Sequence, residues 1–196
     1  MMRESKKYRD ILARGKDLFW KFGMKRVTVE EICQEAGVSK MTFYKYFSNK
    51  NELANEILRR MFDENMEKWR EFMAADIPFE EKMRLQIRMK LEGTNDISEE
   101  FVKDVYGDPG SEIYQYWHRR ADEMIAEVVE YYRYAQEKGW IRRDLKIDFI
   151  IYIINRFFEF ANDDQLVAQY ATMQDLIMEI NKFFLYGILP HPQVEK

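Results

Sequence analysis

Thr28-Val29-Glu30-Glu31-Ile32-Cys33-Gln34-Glu35-Ala36-Gly37-Val38-Ser39-Lys40-Met41-Thr42-Phe43-Tyr44-Lys45-Tyr46-Phe47 is the stretch on which the fold turns. It opens with a capping box: the Thr28 hydroxyl is placed to accept from the Glu31 backbone N–H while the Glu31 carboxylate reaches back. A short helix follows, with Val29, Ile32 and Cys33 inward. Ala36 to Ser39 is a tight turn, in which Gly37 can take a positive φ and Ser39 caps the next helix. That helix, about Lys40 to Phe47, ends at Ser48-Asn49. Phe43 and Phe47 lie four apart, on one face, and dock on a core. Lys40, Thr42, Tyr44, Lys45 and Tyr46 project elsewhere. Two short helices about a glycine turn are the pattern of a helix-turn-helix, whose second helix lies in the major groove while the first crosses the DNA backbone.

Working outward, Tyr8, Ile11, Leu12, Gly15, Leu18, Phe19 and Phe22 follow the i, i+3, i+4, i+7 rule of an amphipathic helix that Gly23 terminates. On the other side, Leu53, Ile57, Leu58, Met61, Phe62, Met66, Trp69 and Met73 give an apolar stripe to a long helix from about Lys50 to Ala75. Pro78 sits early in the next helix, where proline is tolerated, and the stripe there is Met83, Ile87 and Leu91. Ser98 to Tyr106 predicts a short helix and Gly107 to Gly110 a loop. Ser111-Glu112 opens a helix that Gly139 ends near Lys138. The segments of about 147–162 and 172–186 are apolar on more than one face, so both sides must be buried. A second copy of the chain on the outer side would do this, as would other helices of the same chain; the first is the expectation here. The fold class is therefore all-α.

Composition agrees and removes other classes. The chain has 196 residues, with 46% hydrophobic and 34% charged, as ordinary globular proteins do. Eight glycines and four prolines are too few for an all-β fold or a glycine-rich phosphate loop. Met1 to Asp10 is polar and charged and does not read as a signal peptide. The longest uncharged run, Phe183 to Val194, contains Pro190 and Pro192, and a membrane span needs roughly 20 apolar residues. The single cysteine, Cys33, cannot form an internal disulfide and fits a reducing cytosol, where the expected role is packing. His118 and His191 are the only histidines; His118 and Asp122 have the i, i+4 spacing of metal ligands but no third partner, so no metal is expected. No nucleophile–base pair or phosphate loop points to an enzyme.

Net charge is −4, yet it is unevenly placed. Residues 1–50 carry twelve Lys/Arg against six Asp/Glu, a net +6, leaving −10 on residues 51–196. A basic head suits an anionic partner and an acidic body something else. The boundary is therefore drawn at residue 50, with a head of 1–50 and a body of 51–196.

The head closely resembles the DNA-binding domain of the TetR family of bacterial transcriptional regulators. The resemblance rests on Ile11-Leu12-Ala13, Leu18-Phe19, Phe22-Gly23, Thr28-Val29-Glu30-Glu31-Ile32, Ala36-Gly37-Val38-Ser39-Lys40, Thr42-Phe43-Tyr44, Tyr46-Phe47, Lys50 and Glu52-Leu53, correctly spaced over roughly the first 55 residues. Two positions depart: Gly15 stands where the family usually has alanine, and Met41 where a small residue is common. The resemblance implies about nine helices, a homodimer formed by the helices near 147–162 and 172–186, and cytoplasmic, nucleoid-associated action in a bacterium. It implies binding to a palindromic double-stranded operator, repression, and release when a small molecule enters the C-terminal domain. Carried over by position, Thr28, Tyr44, Tyr46 and Lys50 match phosphate contacts, and Lys40, Met41, Thr42 and Lys45 match the residues nearest base edges. Lys6, Lys7 and Arg9 read as a further phosphate contact or as a solvated charge run. A constitutive or architectural DNA binder acting through a protein partner is the alternative. In the body, where the likeness is one of plan plus the turn Gly139 to Asp144, Trp69, Met89, Tyr114, Trp117 and Phe157 are the candidate effector contacts, with Met73, Tyr106, Met124, Tyr131 and Phe160 as further apolar candidates. An acidic body with many aromatic rings suits a lipophilic molecule, and a cation over an aromatic face is conceivable, with Glu92 as its partner. No cofactor is expected.

Overall fold

The computed structural model describes residues 5–160 and 163–190, apart from the side chain of Phe158. His191 and Asn162, the predicted end of one helix, lie outside the described residues. Among those described there are ten helices and no strand: α1 (Lys6–Phe22), α2 (Val29–Glu35), α3 (Lys40–Tyr46), α4 (Lys50–Ala74), α5 (Phe79–Gly93), α6 (Glu99–Tyr106), α7 (Glu112–Glu137), α8 (Ile147–Phe160), α9 (Asp164–Val167) and α10 (Met173–Ile188). The all-α expectation holds. The additional helix is α9, a single turn whose first N–H groups, on Gln165 and Leu166, donate to the Asp163 carboxylate at 3.0 and 3.1 Å. Four residues are too few for apolar periodicity to reveal.

The chain forms two compact units, residues 1–65 with 96–118, and residues 66–95 with 119–196. Neither unit is one continuous stretch, and α4 and α7 contribute residues to both.

In the first unit, α1 begins at Ser5, whose Oγ accepts from the Tyr8 N–H at 3.2 Å. Its inward face is Ile11, Leu12, Gly15, Phe19 and Trp20, all buried. At Gly15 a Cβ would stand 2.9 Å from Leu53 Cδ2, so the missing side chain lets the start of α4 close on α1. Gly23 is required twice over. Its φ is +80°, and a Cβ would meet Asp104 Oδ2 at 2.9 Å and Glu100 Cβ at 3.0 Å. These belong to α6, which packs on α1 although it is far away in sequence. Trp20 and Phe101 have ring centroids 4.2 Å apart, the Ser98 N–H donates to Trp20 O at 2.9 Å, and the Lys25 N–H donates to Asp104 Oδ2 at 2.8 Å.

The second unit is built on an apolar cluster in which Trp69, Met73, Phe79, Met83, Tyr132, Ile141, Ile150 and Leu185 are buried. The Gln136 amide donates to Arg142 O at 3.0 Å and Leu145 O at 2.8 Å, holding the turn after α7. Gln174 on α10 donates to Leu91 O at 2.7 Å, at the end of α5. Both apolar helices have one open side. Phe149 and Tyr152 on α8 are 53% and 55% exposed, and Phe183 and Tyr186 on α10 are 83% and 54% exposed. The other described residues of the chain do not bury these faces. No helix among the described residues is long and apolar enough to cross a membrane.

Candidate nucleic-acid interface

The local structure of the head follows its sequence closely. Thr28 and Glu31 form the full capping box: the Thr28 N–H donates to Glu31 Oε2 at 2.7 Å and the Glu31 N–H to Thr28 Oγ1 at 3.2 Å. The hydrogen bonds from Thr28 hold the Glu31 carboxyl below its ordinary pKa. Gly37 makes the turn at φ +62°, and the Val38 N–H closes onto Cys33 O at 2.9 Å. Ser39 caps α3 by accepting from the Thr42 N–H at 3.2 Å. Phe43 and Phe47 are sealed in the core at 0% and 3% exposure, which fixes the roll of α3 and hence what it shows to solvent.

What it shows is Met41, Tyr44 and Lys45. Met41 is 83% exposed, and Tyr44 stands out over Phe43, ring centroids 5.4 Å apart and nearly perpendicular. At i, i+3 and i+4 these three share a face. Lys40, one residue earlier, is exposed and ion-paired with Glu30 of α2. A pair this open to water contributes little to stability. The Thr42 hydroxyl lies 3.0 Å from Ser39 Oγ, so its hydrogen bonding is local.

Three of the predicted phosphate contacts are also engaged within the head. The Thr28 hydroxyl donates to Glu31 Oε2 at 2.9 Å. The Tyr46 hydroxyl is 2.6 Å from Ser5 Oγ, and its ring packs edge-on against Tyr8 at 5.5 Å. Lys50 Nζ donates to Lys25 O at 3.0 Å and Val27 O at 2.7 Å, bracing the loop between α1 and α2. Burial pulls the Lys50 ammonium below its ordinary pKa, while Asp104 and Glu31 favour its charge. An ammonium has three donors, so two are committed to these carbonyls. Tyr44, the fourth, is 54% exposed. Lys6, Lys7 and Arg9 are exposed along the start of α1.

One group the sequence reading passed over holds α1 to α4. The Tyr8 hydroxyl donates to Glu56 Oε1 at 3.1 Å, and Arg59 and Arg60 donate to the same carboxylate at 2.7 to 2.8 Å. The hydrogen bonds from Arg59, with those from Arg60 and Tyr8, hold Glu56 down at about 2 against the opposing effect of burial. The i+3 and i+4 spacing of the arginines is visible in the sequence; the partner on α1 is not. Cys33 is buried, and burial pushes its thiol up.

The predicted effector residues fall in both units. Trp69 is buried in the second unit's cluster, and Met89 and Phe157 pack against it. Tyr114 and Trp117 belong to the first unit, where Trp117 packs on Phe62 and Tyr106. There Tyr114 stacks on His118 at 3.7 Å, and His118 Nδ1 is 2.9 Å from Tyr114 O. Met73, Met124 and Tyr131 join the second unit's cluster, Phe160 is 39% exposed, and Glu92 is on the surface. Among the described residues no three His, Cys, Asp or Glu side chains group as a metal site would require.

A capped two-helix motif with its second helix rolled outward, on an all-helical chain, defines a helix-turn-helix. Residues 11–57 match the family described as bacterial regulatory proteins, tetR family. An uncharacterized HTH-type transcriptional regulator of Bacillus subtilis, YhgD, is 36% identical over 73 residues, which is 37% of this chain and 38% of that protein. The whole fold is similar to solved structures. The fatty acid degradation regulator FadR of Bacillus halodurans superposes with a TM-score of 0.70 at 18% identity, over 94% of this chain and 97% of that one. Regulatory protein TetR from Rhodobacter sphaeroides gives 0.73 at 17% identity, over 94% and 100%.

Proposed function

We propose that the protein is a homodimeric transcriptional repressor of the bacterial cytoplasm and nucleoid, not an enzyme. Residues 1–50 read a palindromic operator, and residues 51–196 dimerise and take up a small lipophilic effector that releases the DNA. The observation that carries this reading is the roll of α3, which seals Phe43 and Phe47 inward and turns Met41, Tyr44 and Lys45 outward together. Phosphate contacts require cations and hydroxyl donors, and base-edge contacts include apolar packing on the thymine methyl. Tyr44, Lys40 and Lys45 supply the first kind and Met41 the second. Thr28, Tyr46 and Lys50 take part by shaping the head as well as by meeting phosphates, because their side chains already brace it. Thr42 lies beside the base-reading face.

The exposed apolar faces of α8 and α10 support the dimer. Phe149, Tyr152, Phe183 and Tyr186 are large, apolar and open, and such a surface marks a contact with another protein. Two copies related by a two-fold axis would place two α3 helices on successive major grooves, which a palindrome with one-turn spacing satisfies.

Selection from random duplex DNA at near-physiological salt tests the reading. Enrichment of a palindrome is the expected result. Salt-sensitive binding without sequence preference, by protein stripped of small molecules and refolded, would replace the reading with that of an architectural DNA binder.

A further inference from the structure

Lys82, on the first turn of α5, is buried at 5% exposure among aromatic rings, which is a costly place for an ammonium. Its Nζ donates to Met73 O, near the end of α4, and lies 6.0 Å from the Tyr131 ring centroid and 5.8 Å from that of Trp140. No carboxylate pairs with it among the described residues. Capping the end of α4 uses one of its three donors. Beside it are further polar groups without partners. Trp69 is buried at 5% exposure with its Nε1–H making no hydrogen bond, and the Tyr131 hydroxyl is buried and equally unmatched. Trp69 and Tyr131 pack edge to face at 5.5 Å, so Lys82 and Trp69 flank the same tyrosine ring. Gln86, one turn after Lys82 on α5, leaves Oε1 unmatched as well. Native interiors leave few such groups, and each calls for an explanation.

Lys82, Trp69 and Tyr131 come from α5, α4 and α7, and they are of matching chemistry, a cation, an indole N–H and a phenol O–H, all donors, while Gln86 Oε1 is an acceptor. We propose that they form the head-group site of the effector, and that the effector is an amphipathic monocarboxylate whose anionic oxygens meet Lys82, Trp69 and Tyr131 while its apolar body lies in the surrounding cluster. This rests on the reading of the body as effector-binding. It keeps the lipophilic body expected of the effector but not the positive charge that the acidic composition left open: the cation over the aromatic faces is the chain's own Lys82. One cation and two neutral donors match a single negative charge. A phosphate dianion would keep a buried charge uncompensated.

Equilibrium binding of decanoate, 1-decanol and decyltrimethylammonium to the full chain, below their aggregation concentrations and without DNA, tests the site. Decanoate is expected to bind about tenfold tighter than decanol, as a charge-assisted hydrogen bond implies, and the ammonium weakest of the three. Lys82→Met should bring decanoate and decanol within about threefold of one another, and Lys82→Arg should keep the preference. Should Lys82→Met fail to melt cooperatively, Tyr131→Phe and Trp69→Phe leave the cation in place; each is expected to weaken decanoate several-fold and leave decanol unchanged. Equal or tighter binding of decanol by the parent, an undiminished preference in Lys82→Met or in both donor variants, or binding of none of the three overturns the proposal. Because DNA is absent, such a result leaves the operator reading standing, and a failed operator selection leaves this one standing.

Discussion

The head and the body solve the problem of polar and apolar groups in opposite ways. In residues 5–50 no buried side-chain nitrogen or oxygen lacks a partner among those described, and the large apolar residues left in solvent are Met41 and Tyr44 of α3. The second unit leaves Trp69 Nε1, Gln86 Oε1 and the Tyr131 hydroxyl unmatched inside, with Phe149, Tyr152, Phe183 and Tyr186 open outside. The head's groups find partners, most of them local, with Tyr8 and Lys25 reaching Glu56 and Asp104, and its large exposed apolar residues sit together on α3. The body has groups that its own residues do not complete. The difference teaches that an exposed aromatic or an orphaned donor is better read by the element it sits on than by its type.

The largest expected effect breaks the head's self-sufficiency. Phe43→Ala removes a fully buried ring and should cost about 4 kcal/mol of unfolding free energy, read by denaturant titration. A loss under about 1 kcal/mol would mean that the core beneath α3 is not closed as the structure has it. The matching change in the body works at the surface. Phe183→Glu places a charge on the open face of α10; in a single chain that side chain is solvated, so stability should stay within about 0.5 kcal/mol. The proposed dimer, by contrast, should weaken roughly a hundredfold by sedimentation, as loss of a central aromatic contact does. An unchanged dimer would take α10 out of the interface.

The junction of α1 and α4 gives an effect with a pH signature. Glu56 is held at about 2, below the ordinary 4.5, so its carboxylate form is favoured in the folded state. The stability it contributes is fully present above about pH 4.5 and is lost as pH falls toward 2. Glu56→Gln should therefore be less stable than the parent by about 2 kcal/mol at pH 7, with the gap closing through that acid window. A gap that does not change with pH would mean that the loss comes from packing.

How far this was legible follows from the range of the contacts. Thr28 with Glu31, Ser39 with Thr42 and Phe43 with Phe47 are three or four residues apart, so sequence spacing alone placed them. The open faces of α8 and α10 were legible too, because a helix apolar all round announces itself without any partner. The Tyr8–Glu56 bond, the fit of α6 against Gly23 and the burial of Lys82 join distant segments, and no local pattern encodes them. Lys82 in particular sits in Glu80-Glu81-Lys82, which reads as a solvated run. The candidate effector residues, chosen as large and apolar, fall in both units, since size and apolarity mark core as readily as pocket.

Gly15 sharpens the comparison at its smallest scale. As a departure from the usual alanine it reads as a weak point in α1, and helix propensity alone would give Gly15→Ala a gain of about 1 kcal/mol. The structure opposes that gain with a contact of 2.9 Å from the new Cβ to Leu53 Cδ2 and 3.4 Å to Ile57 Cδ1. Leu53 is fully buried, so its methyl must turn within a packed core. The two effects are of similar size and opposite sign, and the net change should lie within about 1 kcal/mol of zero by thermal unfolding. A full gain would mean that Leu53 yields freely and the glycine serves no packing purpose. A loss beyond about 2 kcal/mol would mean that the close approach of α4 to α1 depends on it, and the self-sufficiency of the head would then rest on this one missing side chain.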